Sequence, residues 1–272
     1  MATNRRRRKL RPMTGSIRVE KEGSFGRIVI DHAARRNALT RAMWRAIPEA
    51  AAALDRDPDV RVVILRGAGT EAFVSGADIS EFEEARQGPG AKAYDADTTA
   101  AFGALRAMDK PLVALLHGYC IGGGAALALS ADLRYAADDA LLAIPPARLG
   151  LGYAVANVEA LERVVGAPNA REILFTARRY SATEALAMGW VHRVFPKASL
   201  DAEVAKIAAQ IAENAPLTVR SAKTVLRELE RVPSERDHAR MEASVSECIE
   251  SEDYREGVRA FLEKRRPRFT GA

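Results

Sequence analysis

The stretch that most restricts this chain is "KPLVALLHGYCIGGGAALALSADL", residues 110–133. Its apolar first part suits a buried strand, and its Ala/Leu-rich last part suits a helix. Between them stand three consecutive glycines. Glycine at a strand-to-helix junction costs conformational freedom but lets backbone approach a neighbour closely and aims N–H groups outward. A sequence built around such a junction belongs to an α/β architecture rather than to an all-helical or all-strand fold.

The rest of the chain repeats that rhythm. "SIRVEKEGSFGRIVID" alternates apolar and polar residues on both sides of "EGSFG", which predicts a β-hairpin with strands at 16–20 and 26–31. Leu39, Met43, Ile47 and Ala51 recur at helical spacing. "DVRVVILRG" reads as a buried strand ending at Gly67, and "GADISEF" as the opening of a helix. "LRYAADDALLAIP" reads as two short strands around "AADD". Ser181 with Glu184 forms a capping-box pattern, Gly189 fits the stop of that short helix, and "WVHRVFP" gives one more strand. From residue 199 onward only helical patterns remain, striped by Val204, Ile207 and Ile211, then by Leu217, Val225, Leu226 and Leu229, then by Tyr254, Val258, Phe261 and Leu262. Ser234 with Asp237 is expected to cap one of these helices. The expected organisation is a disordered basic tail at 1–15, a strand–helix core at 16–199 and a C-terminal helical region at 200–272.

Composition bounds the function. The net charge of +5 comes from one block, "NRRRRKLR", whose Arg5, Arg6, Arg7, Arg8, Lys9 and Arg11 leave the remainder at about −1. A charge block of this kind reads as a solvated extension; an arm for nucleic acid is the other reading, and it lacks interleaved aromatics for base stacking. The sequence has no apolar run near the length of a membrane span and no apolar stretch of a secretory leader. Two cysteines, Cys120 and Cys248, do not make a disulfide framework, so a reducing cytoplasm is expected. The four histidines, His32, His117, His192 and His238, are dispersed and give no metal-ligand spacing, so no metal is expected.

Two junctions carry the glycines, "GAGTEAFVSGAD" at 67–78 and "GYCIGGG" at 118–124. Neither fits a P-loop, and no G-x-G-x-x-G follows an N-terminal strand. Two N–H groups converging from separate turns suit one oxygen that becomes negative during reaction, as in thioester chemistry. Spacing alone leaves open a purely structural role, in which the turns only pack helices onto strands.

Five ordered blocks resemble the crotonase (enoyl-CoA hydratase/isomerase) superfamily over about residues 16–270: "RRNALTRAM", "AFVSGADISEF", "HGYCIGGGAALALSADLRYA", "SATEALAMGWVHRVFP" and "EGVRAFLEKRRPRF". The resemblance implies a spiral of ββα units, a C-terminal helical region that mediates trimers or hexamers, and a coenzyme A thioester as substrate, within fatty acid metabolism. No permanently bound cofactor is implied. It assigns the oxyanion-binding amides to Ala77 and Gly123. It places the substrate along Arg35, Arg36 and Ala38, along Ser75, Asp78 and Ile79, and against Gly122. Phe261 and Lys264 would close the pocket, from the same chain or a neighbouring one.

The same resemblance exposes a departure. Hydratases of the family share proton transfer between two glutamates, one two residues after the glycine triplet and one in a P-E-x-x-x-G motif. Here Ala126 and Pro146 hold those places. Neither side chain transfers a proton, so the two-glutamate route is not expected. Substitute acids or bases considered are His117, Tyr153 and Arg148, with Tyr119, Glu81, Glu83, Glu84, Asp95 and Asp97 as further polar groups nearby. The last two fall in "RQGPGAKAYDADTT", which is expected to be a mobile segment bordering the acyl pocket. Two readings follow: a lyase or isomerase working through a thioester enolate, or an acyl-CoA-binding protein that is catalytically silent.

Overall fold

The computed structural model describes residues 15–81 and 89–272. The arginine-rich tail, Glu83 and Glu84 lie outside the described residues. Strands β1 (Ser16–Glu22) and β2 (Phe25–Asp31) form the expected hairpin, turning at Gly23 with φ +58°. Helix α1 (Arg41–Arg56) is capped by Thr40, whose hydroxyl accepts from the Met43 amide. Then come paired strands separated by helices: β3 (Val62–Gly67) and β4 (Ala72–Val74), α2 (Pro89–Ala107), β5 (Leu112–Leu116) and β6 (Tyr119–Ile121), α3 (Gly123–Leu129), β7 (Leu133–Ala137) and β8 (Leu141–Ala143), and α4 (Val155–Thr176). The short β9 (Tyr180–Ser181), α5 (Ala182–Ala187) and β10 (Arg193–Phe195) close the strand-bearing part.

The pairing shows the spiral directly. The first strand of each pair joins a six-stranded sheet, ordered β1-β2-β3-β5-β7-β10, and the second joins a four-stranded sheet, ordered β4-β6-β8-β9. From β2 to β10 the larger sheet is parallel, so each connection must cross over, and the helices supply the crossovers. Both faces of its central strands β3 and β5 are buried, which is why they read as apolar runs. Leu65, Ala114 and Ala136 face the main core with Met43, Trp44 and Leu127. Val62, Ile64, Val113 and Leu115 face a second core against Leu200, Val204 and Ala208 of α6 (Leu200–Ala212). Helices α7 (Pro216–Leu229), α8 (His238–Glu250) and α9 (Glu252–Leu262) complete the chain.

Two local expectations change. Asp237, not Ser234, caps α8: its carboxylate accepts from the Arg240 amide, while Ser234 sits in a preceding 3₁₀ turn. The segment expected to be mobile contains α2, a helix of 19 residues. Tyr94, Ala101, Phe102 and Leu105 are buried along it, and Asp97 accepts from Arg41 (2.6 Å) and Arg45 (2.9 Å) on α1. These contacts tie the helix to α1, against the expected mobility. The Ser181–Glu184 capping box is present as expected.

Candidate active site

Each glycine of the triplet has its own reason. Gly122 adopts φ +56°, ψ −109°, and its amide donates to Ala143 O on β8 (2.8 Å). A residue with a side chain is strained there. Gly124 is packed so tightly on β4 that a Cβ would stand 2.4 Å from Val74 O. Gly123 lies between them as the first residue of α3, where an amide has no acceptor inside its own helix.

The other junction reaches the same place. Leu39 donates to Gly76 O (2.9 Å) and accepts from the Asp78 amide (2.8 Å), forming an isolated parallel bridge centred on Ala77. In such a bridge the central residue turns its own N–H and C=O away from the partner strand. A Cβ placed on Gly123 would stand 3.9 Å from Ala77 N, so the two backbone segments are adjacent. Asn37 braces the arrangement from behind. Fully buried with φ +58°, it accepts from the His32 amide and donates to Ala68 O and Ala72 O.

Ala77 and Gly123 border a cavity of about 420 Å³. Its floor is Trp44, whose indole N–H donates to Tyr94 Oη (3.0 Å) and whose ring meets Phe102 edge-on at 5.3 Å. One wall is α2. Pro146, Leu149, Leu151 and Tyr153 form the wall opposite in sequence. The Tyr153 hydroxyl donates to Gly122 O (3.4 Å). Burial pushes its phenol well above its ordinary value, so it stays protonated at neutral pH.

Of the residues singled out from the sequence, Ser75, Ala77, Ile79, Gly122, Gly123 and Tyr153 line this cavity, and so does Pro146. Arg35, Arg36, Ala38 and Asp78 sit on the adjoining turns. Arg35 reaches Asp78 (3.4 Å); Arg36 pairs with Glu71 (2.8 Å) and lies over the Tyr119 ring, 4.9 Å from its centroid. Burial raises Asp78, but the Ser80 hydroxyl and amide and Arg35 more than offset this, leaving its carboxyl below its ordinary value.

Other candidates are not brought there. His117 is 2 % exposed and engages Asp201 at the start of α6 (2.6 Å) instead of facing the cavity. Arg148 is exposed on a 3₁₀ turn, and among the described residues its guanidinium has no hydrogen-bond or ion-pair partner, Asp138 and Asp139 being taken by Lys197. Phe261 is 83 % exposed at the end of α9, and Lys264 follows it with φ +53°. Ala126 is fully buried in the main core and does not border the cavity. Burial pushes the Cys120 thiol far up, which removes it as a nucleophile. Among the described residues no His/Cys/Asp/Glu group could hold a metal ion. Sequence reasoning missed Trp44, Phe102 and Asn157 as wall residues and passed over the helical spacing of Tyr94, Phe102 and Leu105 that announces α2.

Comparison with known proteins decides the family. The profile of the enoyl-CoA hydratase/isomerase family matches residues 20–272. The chain belongs to that family. As a member of the crotonase superfamily it is 32% identical over 251 residues to a short-chain-enoyl-CoA hydratase of Clostridium acetobutylicum, covering 92% of this chain and 96% of that one. It is 34% identical over 265 residues to a peroxisomal Delta(3,5)-Delta(2,4)-dienoyl-CoA isomerase of Arabidopsis thaliana, covering 93% and 95% of the two chains. In structure it is similar to an enoyl-CoA hydratase/isomerase family protein of Hyphomonas neptunium, with TM-score 0.91 and 35% identity, over 96% of this chain and 100% of that one. The crotonase fold expected from the sequence blocks is thus the fold observed.

Proposed function

We propose that this crotonase-family protein is an enzyme acting on an acyl-CoA thioester, whose carbonyl oxygen is held by the Ala77 and Gly123 amides while an enolate forms. The observation that carries the reading is the adjacency of those two backbone segments on one cavity wall. Each amide aimed at a developing oxyanion is worth about 3–4 kcal/mol in the transition state. The acyl chain enters between Trp44, the Ala91, Tyr94 and Phe102 side of α2, and the Pro146–Tyr153 wall. Arg35 and Arg36 are exposed cations beside the turn and meet the CoA phosphates; Ala38, Ser75, Asp78, Ile79 and Gly122 shape the path of the pantetheine arm. CoA is part of the substrate, and the reaction draws on no resident cofactor. The exposed apolar faces of α8 and α9 assemble the chain into a homotrimer or hexamer, bringing Phe261 and Lys264 to a neighbour's cavity.

The two lost carboxylates favour a second reading, an acyl-CoA-binding protein without turnover. One measurement separates binding geometry from catalysis. Infrared difference spectra with a ¹³C-carbonyl-labelled butanoyl-CoA should show the thioester C=O stretch shifted to lower frequency on binding, as two amides polarise it. Binding without a shift removes the oxyanion reading. A shift without turnover of any acyl-CoA in a panel leaves the silent binder.

A further inference from the structure

Ala126 and Pro146 hold the two positions where the hydratase pattern has carboxylates, and neither brings an ionisable group to the cavity. A carboxylate reaches the cavity from α2 instead. Ala91, Tyr94, Asp95, Thr98, Thr99 and Phe102 border the cavity, and their spacing of three and four residues is one face of a helix. The helix is fixed in rotation from the other side. Asp97 is clamped between Arg41 and Arg45 on α1, and Tyr94 Oη receives the Trp44 indole N–H. Two aspartates two positions apart therefore have different tasks: Asp97 anchors α2, and Asp95 is presented to the cavity.

Among the described residues that line the cavity, Asp95 is the only charged side chain. Among those described residues no Glu, His, Lys or Cys accompanies it. Tyr153 keeps its proton and cannot serve as a base, and the Tyr94 oxygen accepts the Trp44 indole N–H. Hydration of an enoyl thioester needs one group to activate water and another to protonate Cα. A single carboxylate in the cavity suits a reaction in which the same group first takes a proton and then returns it.

We propose that Asp95 is the proton-transfer group of this site, and that the reaction it supports is migration of the double bond in a β,γ-unsaturated acyl-CoA. The inference rests on the oxyanion reading given above. The Asp95 carboxylate takes a proton from Cα. The C–H electron pair forms the Cα–C1 double bond, and the carbonyl π pair moves onto the oxygen between the two amides, giving a dienolate. Collapse of the dienolate draws the proton from the Asp95 carboxylic acid onto Cγ, leaving an α,β-unsaturated thioester and regenerating the carboxylate. Atoms and electrons balance with no co-reactant.

The test uses full-length wild type, Asp95→Asn and Asp95→Glu. Butanoyl-CoA binding is measured by calorimetry, its α-deuteration in D₂O by mass spectrometry, and conversion of 3-hexenoyl-CoA to 2-hexenoyl-CoA by absorbance. Wild type should bind butanoyl-CoA, exchange its α-protons and isomerise the 3-enoyl thioester faster than it hydrates the 2-enoyl one. Asp95→Asn should bind within about threefold and lose exchange and isomerisation by about 10²–10⁴-fold. Its residual rate should also lose the acid limb of the wild-type pH profile. Asp95→Glu should recover part of both activities. Exchange surviving in Asp95→Asn within about tenfold of wild type overturns the role of Asp95 and leaves the oxyanion reading standing. Tight binding with no exchange in wild type overturns the proton transfer. Hydration outpacing isomerisation overturns the reaction class. Failure to bind any acyl-CoA overturns the inference and the reading beneath it.

Discussion

Two polar residues of the sequence, His117 and Asn37, resolve differently once side chains are placed. His117, at the strand end entering the triplet, belongs to a dyad with Asp201 that ties β5 to α6, with Arg66 as a second partner of the same carboxylate. The His117 hydrogen bond is the largest influence lowering the Asp201 carboxyl, to about 2, with Arg66 adding to it against partial burial. Its folded value lies below the unfolded one, so the pair contributes stability above about pH 4, and the contribution disappears as pH falls toward about 2. Asp201 is 45 % exposed, and solvent screening limits the effect to about 1 kcal/mol. Urea unfolding of wild type and Asp201→Asn should therefore differ by about that amount at pH 6 and converge near pH 2. A constant difference across the range would mean that the carboxylate's charge is not what holds α6. Asn37 is the opposite case: the arginines of "RRNAL" are the expected ligand contacts, whereas the asparagine side chain uses both its polar atoms to bond three backbone groups behind the site. Nothing in the local sequence distinguishes a binding arginine from a bracing asparagine, because two of the asparagine's three partners are 31 and 35 residues away.

Elements were legible where their cause is local. The hairpin, the apolar strands, the Ser181–Glu184 cap and the strand–glycine–helix junction all depend on residues within a few positions of one another, and each forms as expected. Helix α2 was not legible because its anchors lie on α1, about fifty residues back. Read alone, "GPGAKAYDADTT" carries poor helix formers; placed against α1, it gains an indole–phenol hydrogen bond and a shared carboxylate. The same reason hid the cavity's carboxylate, since Asp95 and Asp97 are indistinguishable until the helix is set against its neighbour. Tyr94→Phe tests the anchoring. It leaves the Trp44 N–H, buried at the cavity floor, without its phenolic acceptor, which should cost about 1–3 kcal/mol. The drop should appear as a lower urea midpoint at unchanged slope. It should be accompanied by faster hydrogen exchange across α2, the element that loses its tie to α1. An unchanged midpoint would assign the helix's position to Asp97 and Phe102 alone.

At the scale of the whole molecule, the spiral buries both faces of the central strands of its larger sheet but leaves the last two helices half-covered. Val245, Ile249, Tyr254, Val258, Phe261 and Leu262 are all exposed along α8 and α9. Scattered apolar residues on a surface need no explanation, but a run of this kind along consecutive helices marks an interaction face. Around it run charges: Arg255 pairs with Glu252, and Arg265 with Glu256 and Glu263. An apolar strip with a charged rim is the anatomy of a subunit interface, and the proposed self-association would cover it with the surface of an identical chain. The charged double variant Phe261→Asp, Leu262→Asp should leave the spiral folded, since neither side chain enters the cores, while reducing the mass seen by sedimentation velocity from trimer or hexamer to monomer. If Phe261 also closes a neighbour's cavity, the dissociated variant should bind acyl-CoA more weakly than wild type at protein concentrations where wild type stays assembled. A variant that keeps its mass would locate the interface elsewhere. One that dissociates with unchanged affinity would show that each chain builds its acyl-CoA site from Ala77, Gly123 and α2 without help from its neighbours.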